Sequence, residues 1–127
     1  MNRLNLISLI VKDYDAAVEF YTKKLGFEVA EDTAFGDKRW ITLKLANTSD
    51  SALNLALAKT KDDEALIGKQ AFSFPLLGLG TDDCFGDYRR MKELGVTFHG
   101  EPTAGPWGTG VLLEDLYGNK IFMSQEP

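Results

Sequence analysis

From Leu4 to Val11 the apolar residues Ile7, Leu9 and Val11 alternate with Ser8 and Lys12, the period of a half-buried strand. Asp13 then offers a carboxylate to the free N–H groups of a helix start, and Asp15 adds negative charge in the first turn, where the helix dipole favours it. Ala17, Val18, Phe20, Tyr21 and Leu25 recur at helical spacing, which predicts a helix over 14–25. Lys23 and Lys24 occupy the last turn and Gly26 follows as the stop. Phe27 and Val29 restart the period of two, for a strand over 27–33. After a short loop at 34–38, Arg39 to Leu45 sets Ile41, Leu43 and Leu45 against Trp40, Thr42 and Lys44. The Asn47–Ser51 cluster signals a turn, and Ala52 to Ala58 alternates again through Leu53, Leu55 and Leu57. These two runs read as a hairpin.

A weaker copy of the helical stretch follows. Thr81, Asp82 and Asp83 precede Phe85, Tyr88, Met91 and Leu94 at helical spacing, and Gly95–Val96 repeats the stop and restart of Gly26–Phe27. The expected elements of this half are a fifth strand over about 71–80, a helix over 83–94, a sixth strand over 96–99, a seventh over 110–114 and an eighth over 120–125. Pro75, Gly78 and Gly80 interrupt the fifth, because proline cannot donate to a ladder. Residues 100–109, rich in Gly and Pro, read as a loop. The fold class is α+β, two βαβββ modules within a single domain over 1–127. Module 1 covers about 1–58, a charged linker 59–70, and module 2 about 71–127.

Helices in such modules need an apolar sheet face to cover. Ile7, Leu9, Ile41, Leu43, Leu53, Leu55 and Leu57 supply one. The opposite face then carries Leu6, Ser8, Trp40, Thr42, Asn54, Ala56, Phe74, Leu76, Leu112, Phe122 and Ser124. If the sheets curl, that face lines a mostly apolar cleft with a few polar groups, the character of a small-molecule site. The same residues would equally suit a second core between modules, or a dimer interface.

Composition narrows the classes. The net charge of −5 and pI near 4.8 speak against a nucleic-acid surface, which needs clustered Lys and Arg. One cysteine, Cys84, excludes an internal disulfide and a thiolate metal cluster. No apolar run reaches the ~18 residues of a membrane span, and no basic segment precedes an apolar one as in a signal peptide. The expectation is a soluble cytoplasmic protein without membrane or nucleic-acid partners.

The run Val11-x-Asp-x-Asp-x-Ala-x-x-Phe-Tyr-x-x-x-Leu-Gly-Phe27 resembles the opening of the glyoxalase/bleomycin resistance protein/extradiol dioxygenase (vicinal oxygen chelate) superfamily. Glu114-Asp115-Leu116-Tyr117-Gly118-Asn119 is similar to that family's turn before its last strand, and Thr81–Asp83 with Leu94–Val96 to its second helix. The resemblance implies two βαβββ modules of curved mixed sheets, each a half-open barrel, and commonly a homodimer. In metal-using members it also implies His, Glu or Gln ligands on the first and last strands of each module. Those positions fall here on Leu6, Asn54, Leu76 and Phe122. Three are hydrocarbon and cannot hold a hard divalent cation, so the expectation is no metal and no cofactor.

Without a Lewis acid the resemblance points to the metal-free, ligand-sequestering members. The expected ligand-binding residues are Trp40, Trp107, Phe74 and Phe122 for stacking, with Asn54, Ser8 and Thr42 fixing orientation. For the aromatics, packing in a core or a dimer interface is the competing reading. A second functional reading is a glyoxalase-like lyase or isomerase, or a dioxygenase-related enzyme, using His99 or Glu114 as acid and base. A third is an association protein whose own side chains fill the cleft. Cys84 lies near a helix start beside Asp82 and Asp83 and reads as inert.

Overall fold

The alternating and helical patterns become eight strands and three helices in the computed structural model, which describes residues 1–45 and 51–127. The turn expected at Asn47–Ser51 lies, apart from Ser51, outside the described residues. The chain divides into two compact units, Met1–Ile67 and Gly68–Pro127. Each holds one open, mixed, four-stranded sheet, the α+β arrangement expected of each module.

In the first unit β1 (Leu6–Val11), β2 (Phe27–Phe35), β3 (Lys38–Leu45) and β4 (Ala52–Leu57) stand in the order β1-β4-β3-β2, with β1 and β4 parallel and the other pairs antiparallel. Helix α1 (Tyr14–Glu19) starts where the Asp13 carboxylate accepts from the Ala16 N–H at 2.9 Å. It then widens into a π-helical turn over Phe20–Lys24, where the Thr22 hydroxyl donates back to the Val18 carbonyl at 2.7 Å. Gly26 ends it with φ +84°, and Gly95 ends the later helix with φ +88°. Leu9, Val11, Ile41, Leu43, Leu53 and Leu55 are buried on the sheet, with Ala17, Phe20 and Tyr21 from the helical segment, as the sequence pattern required. The charged connection holds α2 (Lys61–Leu66), opened by a reciprocal cap between Thr60 and Asp63. This helix belongs to the first unit.

The second unit departs further from expectation. Its strands are β5 (Leu77–Gly80), β6 (Thr103–Gly105), β7 (Gly108–Glu114) and β8 (Lys120–Gln125), in the order β5-β8-β7-β6, around α3 (Cys84–Glu93). The strand expected from residue 71 begins only at Leu77. Phe72 adopts a left-handed φ of +56°, the Phe72 and Phe74 N–H groups close turns onto Lys69 and Ala71, and Pro75 cannot donate to a ladder. Phe74, expected on a strand, instead stands in this turn segment, 73% exposed. The sixth strand is also displaced. Phe98 makes an isolated bridge to Leu113 and His99 donates its backbone N–H to the Leu112 carbonyl, but regular pairing with β7 resumes only at Thr103, inside the expected loop.

Candidate functional site

The sheet faces opposite the helices carry the candidate chemistry, and strand register decides which side chains meet there. In the first unit Ser8 on β1 is paired with Asn54 on β4, Asn54 with Thr42 on β3, and Thr42 with Glu31 on β2. Paired residues share a face, so four polar side chains form one row across the sheet. Asn54 Nδ2 approaches Ser8 Oγ at 3.5 Å, and the Thr42 hydroxyl donates to Glu31 Oε1 at 3.2 Å. Sequence reasoning found Ser8, Thr42 and Asn54 but missed Glu31. Strict alternation from Phe27 and Val29 sends residue 31 to the helix side. The register shift between Val29 and Glu31 inserts one extra residue and turns Glu31 to the other face.

Trp40, two residues from Thr42 on the same face, is half-buried. A recess of about 340 Å³ brings Trp40 and Asn54 together with Tyr14, Ala56, Lys59 and Asp63. Beside it Arg39 donates to both Asp32 oxygens, at 2.8 and 3.3 Å, and to Asp15 at 2.8 Å, and its guanidinium lies over the Tyr14 ring. Arg39 holds the Asp32 carboxyl below the usual carboxylate range, chiefly through these hydrogen bonds. The arrangement spends Arg39 on fastening β3 to β2 and α1.

The second unit presents an aromatic surface. Trp107 sits in the two-residue turn between β6 and β7. Its indole folds back over the sheet because Gly105 and Gly110 have no side chains. A Cβ on Gly105 would lie 2.8 Å from the indole nitrogen, and one on Gly110 would lie 3.0 Å from the far edge of the ring. The indole meets Phe122 with ring centroids 6.1 Å apart, tilted by 44°. Gly78 and Gly80 pair with Phe122 and Ser124 and leave open space beside them. Trp107 remains 54% exposed. Trp107 and Phe122 are thus brought together, whereas Phe74 lies in the exposed turn segment before β5.

Farther along β7, on the same face as Gly110 and Leu112, stands Glu114. Its Oε2 is 2.6 Å from Nε2 of His99. The sequence offered both residues as separate acid–base candidates. Their pairing was hidden because it depends on where the chain between Val96 and Thr103 runs beside β7.

The metal positions implied by the resemblance do not fit a divalent cation. Leu6 pairs with Ala52, so the residue opposite Asn54 is Ser8; the residue opposite Phe122 is Gly78. Under either alignment the donors are at most a neutral hydroxyl and an amide, whereas hard cations favour carboxylate-rich oxygen sets. Among the described residues no three of His, Cys, Asp and Glu gather to hold a metal ion.

Cys84 is fully buried, its N–H donating to Gln125 Oε1 at 2.9 Å. Burial pushes its thiol up, and Asp87 and Asp83 add to the effect. The native protein is expected to resist a thiol-directed disulfide reagent and to react once per chain after unfolding; rapid labelling of the folded protein would contradict this.

Residues 3–123 match the Glyoxalase/Bleomycin resistance protein/Dioxygenase superfamily. An uncharacterized protein of Shewanella frigidimarina (strain NCIMB 400) is 42% identical over 115 residues, 89% of this chain and 85% of that protein. The crystal structure of UcmS2 superposes with a TM-score of 0.85 at 30% identity, covering 98% of both chains. TnmS3, an antibiotic binding protein from Streptomyces sp. CB03234, superposes with a TM-score of 0.79 at 28% identity, covering 100% of this chain and 98% of its own. Among the described residues no helix is long and apolar enough to cross a membrane.

Proposed function

Because the chain belongs to the Glyoxalase/Bleomycin resistance protein/Dioxygenase superfamily, we propose that it binds a planar small molecule without a metal and sequesters it. The observation that carries this reading is the indole of Trp107, seated on glycines and against Phe122 with its outer side open. A flat apolar ring held in one orientation is a stacking surface whose ordering cost was met on folding. The antibiotic-binding neighbour supports the same class of role. The ligand class is a drug or a metabolite. A homodimer in solution and a cytoplasmic location complete the reading.

Trp107→Ala is expected to weaken binding of a planar aromatic ligand about tenfold or more, with an unchanged circular dichroism spectrum. Titration by calorimetry measures this. Affinity equal to that of the wild type would remove Trp107 from the site.

A second reading is a glyoxalase-like lyase or isomerase, favoured by the contact between His99 and Glu114, which has the geometry of an oriented base. Turnover separates the two. Sequestration leaves the bound molecule chemically unchanged on recovery, whereas the enzymatic reading requires product that disappears in His99→Phe.

A further inference from the structure

A carboxylate bound to one imidazole nitrogen fixes what the other nitrogen can do. Glu114 accepts from Nε2 of His99, so in the neutral ring Nδ1 is left as an acceptor. Among the described residues the His99 ring has Glu114 as its one hydrogen-bond partner, and 42% of the His99 side chain is exposed. The backbone of His99 is itself anchored, its N–H donating to the Leu112 carbonyl at 2.8 Å, and Glu114 N–H donates to the Thr97 carbonyl at 2.9 Å. The pair therefore stands on a fixed piece of chain.

Position gives the pair its meaning. Gly110, Leu112 and Glu114 occupy alternate positions of β7 and share one face. Gly110 lies beneath the Trp107 indole, Leu112 is paired with Phe122, and Glu114 is paired with Lys120. From Gly110 to Glu114 the strand advances roughly 14 Å. A flat molecule stacked at the aromatic end can pass over Leu112 and bring its far edge toward the imidazole.

We propose that this face selects planar aromatic ligands bearing a hydroxyl on the edge away from Trp107, with Nδ1 of His99 accepting the hydrogen bond and Glu114 acting as the positioning residue. This rests on the ligand-binding reading given above and names its ligand class. A phenol meets both requirements: it has a flat apolar body and an O–H that is a stronger donor than an aliphatic hydroxyl. Its methyl ether keeps the body and loses the donor.

The test compares 2-phenanthrol with 2-methoxyphenanthrene, whose oxygen stands at one end of the long axis, by calorimetry on the intact chain. The phenol is expected to bind about tenfold more tightly. His99→Phe should abolish that preference while the ether's affinity stays the same, and Glu114→Ala should reduce the preference several-fold by freeing the tautomer. Trp107→Ala should weaken both probes alike. Equal affinities for the two probes in the wild type, with both sensitive to Trp107→Ala, would overturn the hydroxyl selection alone. Binding of neither probe, or binding indifferent to Trp107→Ala, would overturn the stacking surface and the selection with it. A preference that survives His99→Phe would also overturn it.

Discussion

Replacing Asp115 by alanine is expected to lower stability by about 3 kcal/mol, among the largest losses from a single side chain in this molecule. The Asp115 carboxylate is buried and accepts hydrogen bonds from the N–H groups of Tyr117 and Asn119 at 2.8 and 2.9 Å and from Asn119 Nδ2 at 2.9 Å. Asn119 is itself 2% exposed. Alanine would leave these donors without an acceptor where water cannot easily replace it, and the penalty for a buried unpaired donor exceeds the net gain from an ordinary hydrogen bond. Urea unfolding followed by circular dichroism measures the loss. Asp115→Asn keeps one carbonyl acceptor and should lose roughly half as much. A loss below about 1 kcal/mol for Asp115→Ala would mean that the turn is held by other contacts.

The turn also bears on the candidate site. Glu114 immediately precedes it, and the Glu114 side chain lies against Gly118. A loosened turn would therefore disturb the carboxylate that orients His99, so the Asp115 variants should be judged by stability before any effect on binding is interpreted.

Gly68→Ala is the second large effect. Gly68 has φ +75°, which penalises any L side chain, and a Cβ there would collide with the backbone carbonyl of Tyr117 in the same turn. A backbone carbonyl in a tight turn cannot swing aside as a side-chain tip can. The expected loss is about 3 kcal/mol or more. Gly36→Ala is the control: φ is +60° there, but nothing lies within 4 Å of the added methyl. Its loss should be only about 1 kcal/mol, the conformational part alone. Equal losses at the two positions, read from paired unfolding curves, would show that the collision at Tyr117 is relieved. Because both large effects converge on one turn, Gly68→Ala combined with Asp115→Ala should lose less than the sum of the two.

Much of the fold is legible where local pattern and tertiary packing agree. The alternation through Ile41 and Leu43, and again through Leu53 and Leu55, placed β3 and β4 within a residue of their ends, since one face of each is buried. The Asp13 and Asp83 starts and the Gly26 and Gly95 stops bounded the helices for reasons of capping alone. The misses share a cause. The late start of β5 follows from the turns at Phe72 and Phe74, and β6 pairs through Thr103–Gly105 in a stretch whose glycines and prolines conceal it.

The candidate site was legible to a lesser degree. Ser8, Thr42 and Asn54 fall together because alternation holds on β1, β3 and β4. Glu31 joins them only through the irregularity in β2, which no residue type between Val29 and Glu31 announces. Trp107 and Phe122 were named singly, and their contact depends on the bare backbone at Gly105 and Gly110. Two of the positions implied for metal ligands are displaced by strand register. Ser8 replaces Leu6 opposite Asn54 and Gly78 replaces Leu76 opposite Phe122, and neither exchange creates a metal-binding set.

Binding of a planar molecule on the Trp107 and Phe122 surface, without a metal, is directly open to measurement. Native mass spectrometry of wild type and Trp107→Ala, each incubated with a panel of planar aromatic compounds and measured for metal in the same samples, addresses it most directly. An organic adduct is expected on the wild type, depleted in Trp107→Ala, with no stoichiometric divalent ion on either protein. No adduct from any member of the panel, an adduct equally abundant on both proteins, or one divalent ion per chain would contradict it.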